Sequence, residues 1–343
     1  VSFASRDHPA LVAAARHRLP GVAPLGDTPA VVAARDIGAI RLFCRTDRIS
    51  GLLAGALHSG EVASDGDELG EAVTDDWHAA LHACVLIEAL LVRLADRLGD
   101  TDVRWRVTKG AAVAHLDYPD ASLRHFADID LVVHPDDWEA MLTLLRVDRT
   151  GRTRTLSFAH RYGKGVTAMV DGMEVDLHLR FAVGRFGTQA RMAECFAGTD
   201  TFELAGRTIP VLGAEFRLLH ACHHAVLGGE AELRAFRDVA QMALASPVLL
   251  EHTWDIARSW GVEAVVATAL IETWRRLLLP MDHPVVLEAG STPVSRADRR
   301  ALDVFASGAP FRRQAATSLG ALPMRERPRF AVAAWMMSRE RRS

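Results

Sequence analysis

Lysine is the scarcest charged residue in this chain. Among 343 residues and 40 lysines plus arginines, only Lys109 and Lys164 are lysine. A genome that favours arginine codons is the plain reading of the bias. It leaves open why these two positions differ, and both lie near an acidic stretch described below. Cysteine is scarce as well. Cys44, Cys84, Cys195 and Cys222 are far apart and form no CxxC pair, which argues against a zinc ribbon or a dithiol redox motif. Free thiols in a reducing cytoplasm are expected. Net charge is only -3, so the molecule as a whole does not attract a polynucleotide, and such a partner is not expected. Long apolar runs are lacking too. The most apolar stretch, "LHACVLIEALLVRLADRLGD", is interrupted by Glu88, Arg93, Asp96 and Arg97, so no membrane span is expected. The first residues, "VSFASRDHPALVAAARHRLPG", carry scattered charges and no apolar block, and a signal peptide is not expected there. The GxxxxGK[ST] frame is absent around the "GKG" of Gly163 to Gly165, which excludes a P-loop at that point.

What is present is an ordinary globular composition, 49% hydrophobic and 24% charged, enough for a sizeable core and one or two domains. Three regions are predicted. Residues 1–100 read as helical, with "DDWHAALHACVLIEALLVRLADRLG" a long amphipathic helix ending at Gly99. The acidic "LHSGEVASDGDELGEAVTDD" before it reads as a loop. Residues 101–212 change period. "VRWRV" and "FADIDLVVH" read as strands, and "RTLSFAHRY", "KGVTAMVDG" and "MEVDLHLRF" as three consecutive antiparallel strands. Residues 213–343 return to helical spacing, including "TWDIARSWGVEAVVATALIETWRRLLL" and a basic-ended tail helix.

The run "FADIDLVV" carries two carboxylates in an otherwise core-like strand. Alternate side chains of a strand share a face, so Asp128 and Asp130 should point the same way, about 6–7 Å apart. "MEVDLHLRF" has the same half-polar pattern, with Glu174, Asp176, His178 and Arg180 on one face. If the two strands are neighbours, Asp176 faces the Asp128/Asp130 pair. Three converging carboxylates need positive charge between them, and hard divalent cations suit them; Mg²⁺ fits a few carboxylates plus substrate phosphates. Two such ions can serve one in-line displacement at phosphorus. A strand with two acids on a solvent face would look the same. Upstream, "TKGAAVAHL" reads as strand, glycine turn and short helix, where Gly110 would let a phosphate approach the backbone and Lys109 would add charge. An ordinary turn with a surface lysine fits as well.

The ordered set "KGAAVAHLDYPDASLRHFADIDLVV … MEVDLHLRF … FRLLHACHHAV … LRAFRDVAQ" resembles the uncharacterised nucleotidyltransferase family of the DNA polymerase β-like superfamily, over roughly Val103 to Ala245. Gly110, Asp128, Asp130 and Asp176 look like that superfamily's turn glycine and three acids. Lys109, Arg124 and His178 look like features of the family itself. The Gly-Ser common at the superfamily's turn is Gly110-Ala111 here, which removes a hydroxyl, and the spacing from Gly110 to Asp128 is long. The resemblance implies an α+β fold: a mixed, largely antiparallel sheet flanked by N- and C-terminal helical regions. It also implies transfer of an NMP group from an NTP, with ATP the expected donor, to a small-molecule or peptide acceptor. Asp128, Asp130 and Asp176 would hold two Mg²⁺, or Mn²⁺. Relatives of this type often accompany biosynthetic gene clusters.

Lys164, Arg124, His178 and Arg180 are candidate phosphate partners, or plain salt-bridge formers. "HACHH" places His220, His223 and His224 on one helix. A transition-metal site there lacks an evident fourth ligand, and the resemblance puts His220 or His224 at the edge of a nucleotide pocket. Asp238 is expected to pair with Arg234 or Arg237 on its own helix. A phosphoesterase using the same carboxylates and a non-catalytic nucleotide-binding scaffold are the competing readings.

Overall fold

A computed structural model describes residues 5–66, 68–147, 161–228 and 232–340, the side chains of 336–340 excepted. The N-terminal part contains α1 (Pro9–Arg16), β1 (Ala30–Val32), α2 (Ile37–Thr46), α3 (Ser50–His58), β2 (Val62–Ser64) and α4 (Glu68–Gly99). It is not purely helical, since β1 and β2 form a small parallel pair. Helix α4 starts earlier than its apolar pattern suggests. Glu68 and Glu71 in its first turn favour that start by facing the positive end of the helix dipole, so much of the expected acidic loop is helix. At 32 residues, α4 is long and apolar enough to cross a membrane by length and composition alone. Its stripe of Ile87, Leu90, Leu91, Leu94 and Leu98 lies in the core beneath the central sheet.

That sheet is built from β3 (Trp105–Val107), β4 (Ile129–Val133), β5 (Gly165–Val170) and β6 (Met173–His178), in the order β3-β4-β6-β5. Its β4–β6 pair is parallel and the outer two pairs are antiparallel. Short helices α5 (Ala111–Leu116) and α6 (Trp138–Leu144) follow β3 and β4. The strand expected over "RTLSFAHRY" lies outside the described residues except for Arg161 and Tyr162. After α7 (Gly184–Gln189), a hairpin of β7 (Thr201–Leu204) and β8 (Arg207–Pro210) turns through Ala205 and Gly206, both at positive φ. The fold is thus a mixed, largely antiparallel sheet between N- and C-terminal helical regions, as the resemblance implies.

The C-terminal part contains α8 (Ala214–Leu227), α9 (Leu233–Ala245), α10 (Pro247–Trp260), α11 (Glu263–Arg276), α12 (Pro284–Ser291), α13 (Arg296–Ala306), α14 (Phe311–Ala316) and α15 (Arg327–Glu340). The long apolar stretch from Thr253 to Leu279 is two helices, not one. Gly261 takes φ 69, and the Val262 N–H closes back on the Ala257 carbonyl at 2.8 Å, a left-handed helix stop that glycine adopts without a Cβ penalty.

Two cores sandwich the sheet. On one face Ile129, Leu131 and Val133 pack with Trp138 and the α4 stripe. On the other, Val132 joins a core shared by both ends of the chain, including Leu11, Leu53, Leu219, Val239, Leu270 and Trp274. Asp130 shares the Val132 face, so it points towards the C-terminal helices. All four cysteines are buried and free.

Two buried, bidentate ion pairs dock those helices onto the sheet's connections. Arg217 of α8 donates to both oxygens of Asp117 at 2.9 and 2.8 Å. Arg124, just before β4 and 1% exposed, donates to Asp238 of α9 at 2.8 and 3.3 Å, and the Tyr118 hydroxyl donates to the same carboxylate at 2.8 Å. The expected local pairing of Asp238 is therefore replaced by a long-range one. Arg234 pairs with Glu232, and Arg237 donates to the His17 carbonyl and lies over the Tyr118 ring. Burial pushes Asp238 up, but Arg124, with help from Arg234 and the Tyr118 hydroxyl, outweighs it and holds the carboxyl below its ordinary value.

Asp238→Ala would leave the Arg124 guanidinium buried without its counter-charge. The expected cost is about 3–5 kcal/mol in urea unfolding, and replacing both partners with leucine should cost less than the single change. Because the Asp238 value is lowered on folding, the pair's contribution is full above about pH 4 and fades as pH falls through the lowered value. A flat difference between wild type and D238A across acid titration would contradict this.

Candidate functional site

The parallel register of β4 and β6 sets Asp130 directly beside Asp176, and Val132 beside His178. Adjacent strands are about 4.8 Å apart, so the carboxylates meet without any loop to place them. Asp130 is fully buried. Its Oδ1 takes two partners, His178 Nε2 at 2.7 Å and Lys109 Nζ at 3.1 Å. Its Oδ2 is buried with no hydrogen-bond partner among the described residues. Asp176 is half-buried and accepts from Thr167 Oγ1 at 2.6 Å; Thr167 lies opposite it in the β5–β6 register. Asp130, Asp176 and His178 each offer one ligand atom, all within 4.8 Å of one another.

A buried carboxylate costs several kcal/mol to desolvate unless charge and hydrogen bonds offset it. Burial alone would raise Asp130, but Lys109, His178 and Lys164 outweigh it and hold the group well below the usual carboxylate range. Burial, with repulsion from Lys164, lowers His178 against the pull of Asp130, which leaves its imidazole neutral at neutral pH. Its Nε2–H donates to the ionised Asp130, and its lone pair is on Nδ1, which has no hydrogen-bond partner among the described residues. The cluster therefore presents two anionic oxygen donors, one neutral nitrogen donor and an unsatisfied buried carboxylate oxygen. That set fits a single divalent cation.

Lys109 reaches Asp130 from the turn between β3 and α5. Gly110 shapes that turn at φ 61, and a Cβ there would meet Phe126 and the Asp128 carbonyl at 3.5 Å. Lys164 precedes β5, and burial together with Lys109 lowers its ammonium against the pull of Asp130, Asp176 and Asp128. The chain's two lysines thus both act on Asp130, a clustering that codon bias does not explain.

The two acids of "DID" are not equivalent. Strand β4 begins at Ile129, so Asp128 stands at its entrance with a quarter-exposed side chain. Instead of joining the cluster it contacts Arg48 Nη1 at 3.4 Å. Arg124 is turned away towards Asp238. Arg180 lies past the end of β6, donating to the carbonyls of Gly163 and Arg161 at 3.1 and 3.0 Å, and burial lowers it. Arg180 thus does not take the strand-face place that alternation predicts, and Arg124, offered by the resemblance, is paired with Asp238.

His220 and His224 lie on α8, parallel to each other at 6.4 Å, with His220 edge-on to Phe181. Burial lowers both well below the ordinary value, helped by Lys164 and Lys109. The helix therefore faces the lysine side of the site with neutral imidazoles. His223 bonds back to the Leu219 carbonyl at 2.9 Å. Two clefts of about 320 and 510 Å³ among the C-terminal helices share no residue with the cluster.

Sequence reasoning missed Thr167 and Arg48. Thr167 is visible in principle, as a polar residue in the strand pairing with "VDLH". Arg48 has no local signal at all.

A protein-family model described as "Uncharacterised nucleotidyltransferase" matches residues 34–275. No curated protein matches the chain. The matched region contains the cluster, both lysines and Arg48.

Titration with Mn²⁺, followed by electron paramagnetic resonance of the free ion, tests the cluster. Asp130→Asn or Asp176→Asn should abolish tight binding. Thr167→Val, which frees Asp176 from its hydrogen bond, should weaken binding by about 10–100-fold. Unchanged binding in D130N would rule the cluster out as a metal site.

Proposed function

We propose that this chain, which belongs to the uncharacterised nucleotidyltransferase family of the polymerase β-like superfamily, transfers an NMP group from an NTP to a hydroxyl or phosphate of a small-molecule or peptide acceptor, releasing pyrophosphate. The observation that carries this reading is the Asp130–Asp176 pair, set side by side by the β4–β6 register with His178 and Lys109 on Asp130. A divalent cation held by Asp130, Asp176 and His178 would neutralise phosphate charge and favour attack at the α-phosphorus. Lys109 and Lys164 supply the fixed positive charge for the remaining phosphate oxygens. Gly110 keeps the turn beside them free of a side chain. His220 and His224, held neutral, border the pocket without adding charge.

A two-Mg²⁺ arrangement belongs to the same proposal and requires Asp128 to leave Arg48 and share the second ion. ATP as donor and a cytoplasmic setting are part of it too. Residues 101–212 would be the catalytic core, with the helices of 1–100 and 213–343 shaping the acceptor side. In that arrangement His178 keeps Asp130 oriented, and the acceptor's proton passes to solvent or to a neighbouring carboxylate.

Incubation with α-labelled ATP, Mg²⁺ and candidate acceptors tests the reaction. Pyrophosphate together with a labelled adduct is the expected outcome, reduced to background in Asp130→Asn. Free labelled monophosphate with no adduct would show a phosphoesterase instead.

The two lysines give a separate readout. Amine-directed acylation should mark Lys109, and ATP with Mg²⁺ should slow that reaction severalfold in wild type but not in D130N. Equal labelling with and without nucleotide would remove Lys109 from the phosphate site.

A further inference from the structure

Both arginines that the sequence offers to the phosphates are committed elsewhere, Arg124 to Asp238 and Arg180 to backbone carbonyls. A third guanidinium stands at the site. Arg48 comes from the corner between α2 and α3, eighty residues before the carboxylate it touches. Its contact with Asp128 is a single long hydrogen bond of 3.4 Å, made by Nη1. Among the described residues it has no other side-chain partner, so most of its five donors face away from protein acceptors. Its side chain is about a third exposed, so it is accessible to a ligand.

The backbone beneath it is fixed. Asp47 is fully buried and clamped by Arg6 at 3.0 Å and by the Leu233 N–H, at the start of α9, at 3.0 Å. Arg48 follows at φ 55. Its N–H bonds to the Arg45 carbonyl and the Ile49 N–H to the Cys44 carbonyl, the two closing bonds of a Schellman helix stop, where glycine is the favoured residue. Arg18 and Arg146 also take positive φ, so the backbone alone does not mark Arg48. What sets it apart is that its side chain ends on an acid of the site.

We propose that Arg48 is a phosphate-binding residue of the nucleotide site, supplied by the N-terminal helical region, which exchanges Asp128 for a triphosphate oxygen when nucleotide binds. The inference rests on the nucleotidyltransferase reading above. Planar guanidinium forks suit phosphate oxygens better than the single edge contact seen with Asp128. The exchange also frees Asp128 for a second ion. Arg48 thereby makes nucleotide affinity depend on the α2–α3 corner.

The helix-stop geometry provides a clean test, because a merely structural role and a ligand role predict opposite results for one variant. Arg48→Gly relieves the positive-φ strain while deleting the guanidinium. Wild type, R48G and R48K are compared by thermal unfolding and by calorimetric binding of inorganic triphosphate in the presence of Mn²⁺. R48G is expected to melt at or above the wild-type temperature, yet bind triphosphate at least about tenfold more weakly, the loss of one charge-assisted contact. R48K, which keeps the charge but not the fork, should fall between. Should R48G fail to fold, R48Q, which keeps a side chain of similar reach, gives the same comparison. Wild-type affinity in R48G or R48Q would overturn the proposal and leave the nucleotidyltransferase reading standing. Wild type that binds Mn²⁺ but no triphosphate would overturn both.

Discussion

The site depends on keeping one carboxylate ionised where water cannot reach it. Asp130 is the second residue of β4, flanked along the strand by Ile129 and Leu131, with a completely buried side chain. Without Lys109 and His178 on its Oδ1, desolvation would favour the neutral acid or a distorted strand. Much of the surrounding architecture provides those partners. The Gly110 turn brings Lys109 in from β3, and the parallel pairing of β4 with β6 brings His178. The second lysine precedes the edge strand β5 and lends its charge to the same carboxylate.

The helices around the sheet are held by the same chemistry. Asp117–Arg217 and Asp238–Arg124 are both buried and both bidentate. They behave differently on titration: burial is the largest influence on both, and it raises Asp117, whereas at Asp238 it is outweighed by Arg124, Arg234 and the Tyr118 hydroxyl together, which lower it. Pairs of this kind contribute little net stability compared with apolar replacements, but they are costly to break singly. They fix which helix lies over which connection, and so hold the imidazoles of α8 above the lysine side of the cluster.

The sequence pattern was most informative where it was periodic. Alternation in "DIDLVV" and "EVDLHL" told which side chains share a face, and the partnership of Asp130 with Asp176 and His178 followed once the strands were neighbours. Alternation failed at strand ends. Asp128 precedes β4 and Arg180 follows β6, so the pleat governs neither of them. It was also silent about partners distant in the chain. Nothing near Arg124 names Asp238, and nothing near Asp128 names Arg48, since a charge gives no direction until a fold supplies a neighbour. Gly261 was visible as a letter, but helical spacing continues on both sides of it, and its left-handed helix stop shows only in the fold.

The β4–β6 pairing has a consequence for assembly. The two strands that carry the cluster are parallel neighbours, yet everything from His134 to Gly172, including α6 and β5, lies between them in the chain. A parallel pair cannot be closed by a tight turn, so its formation waits on a long loop and bears the entropy of that closure. Any ligand gripping Asp130 and Asp176 together would bridge the two ends of that loop. Its binding energy would count directly against the entropy of the most non-local pairing among the sheet's four strands, so occupancy of the site and integrity of the fold would be thermodynamically linked.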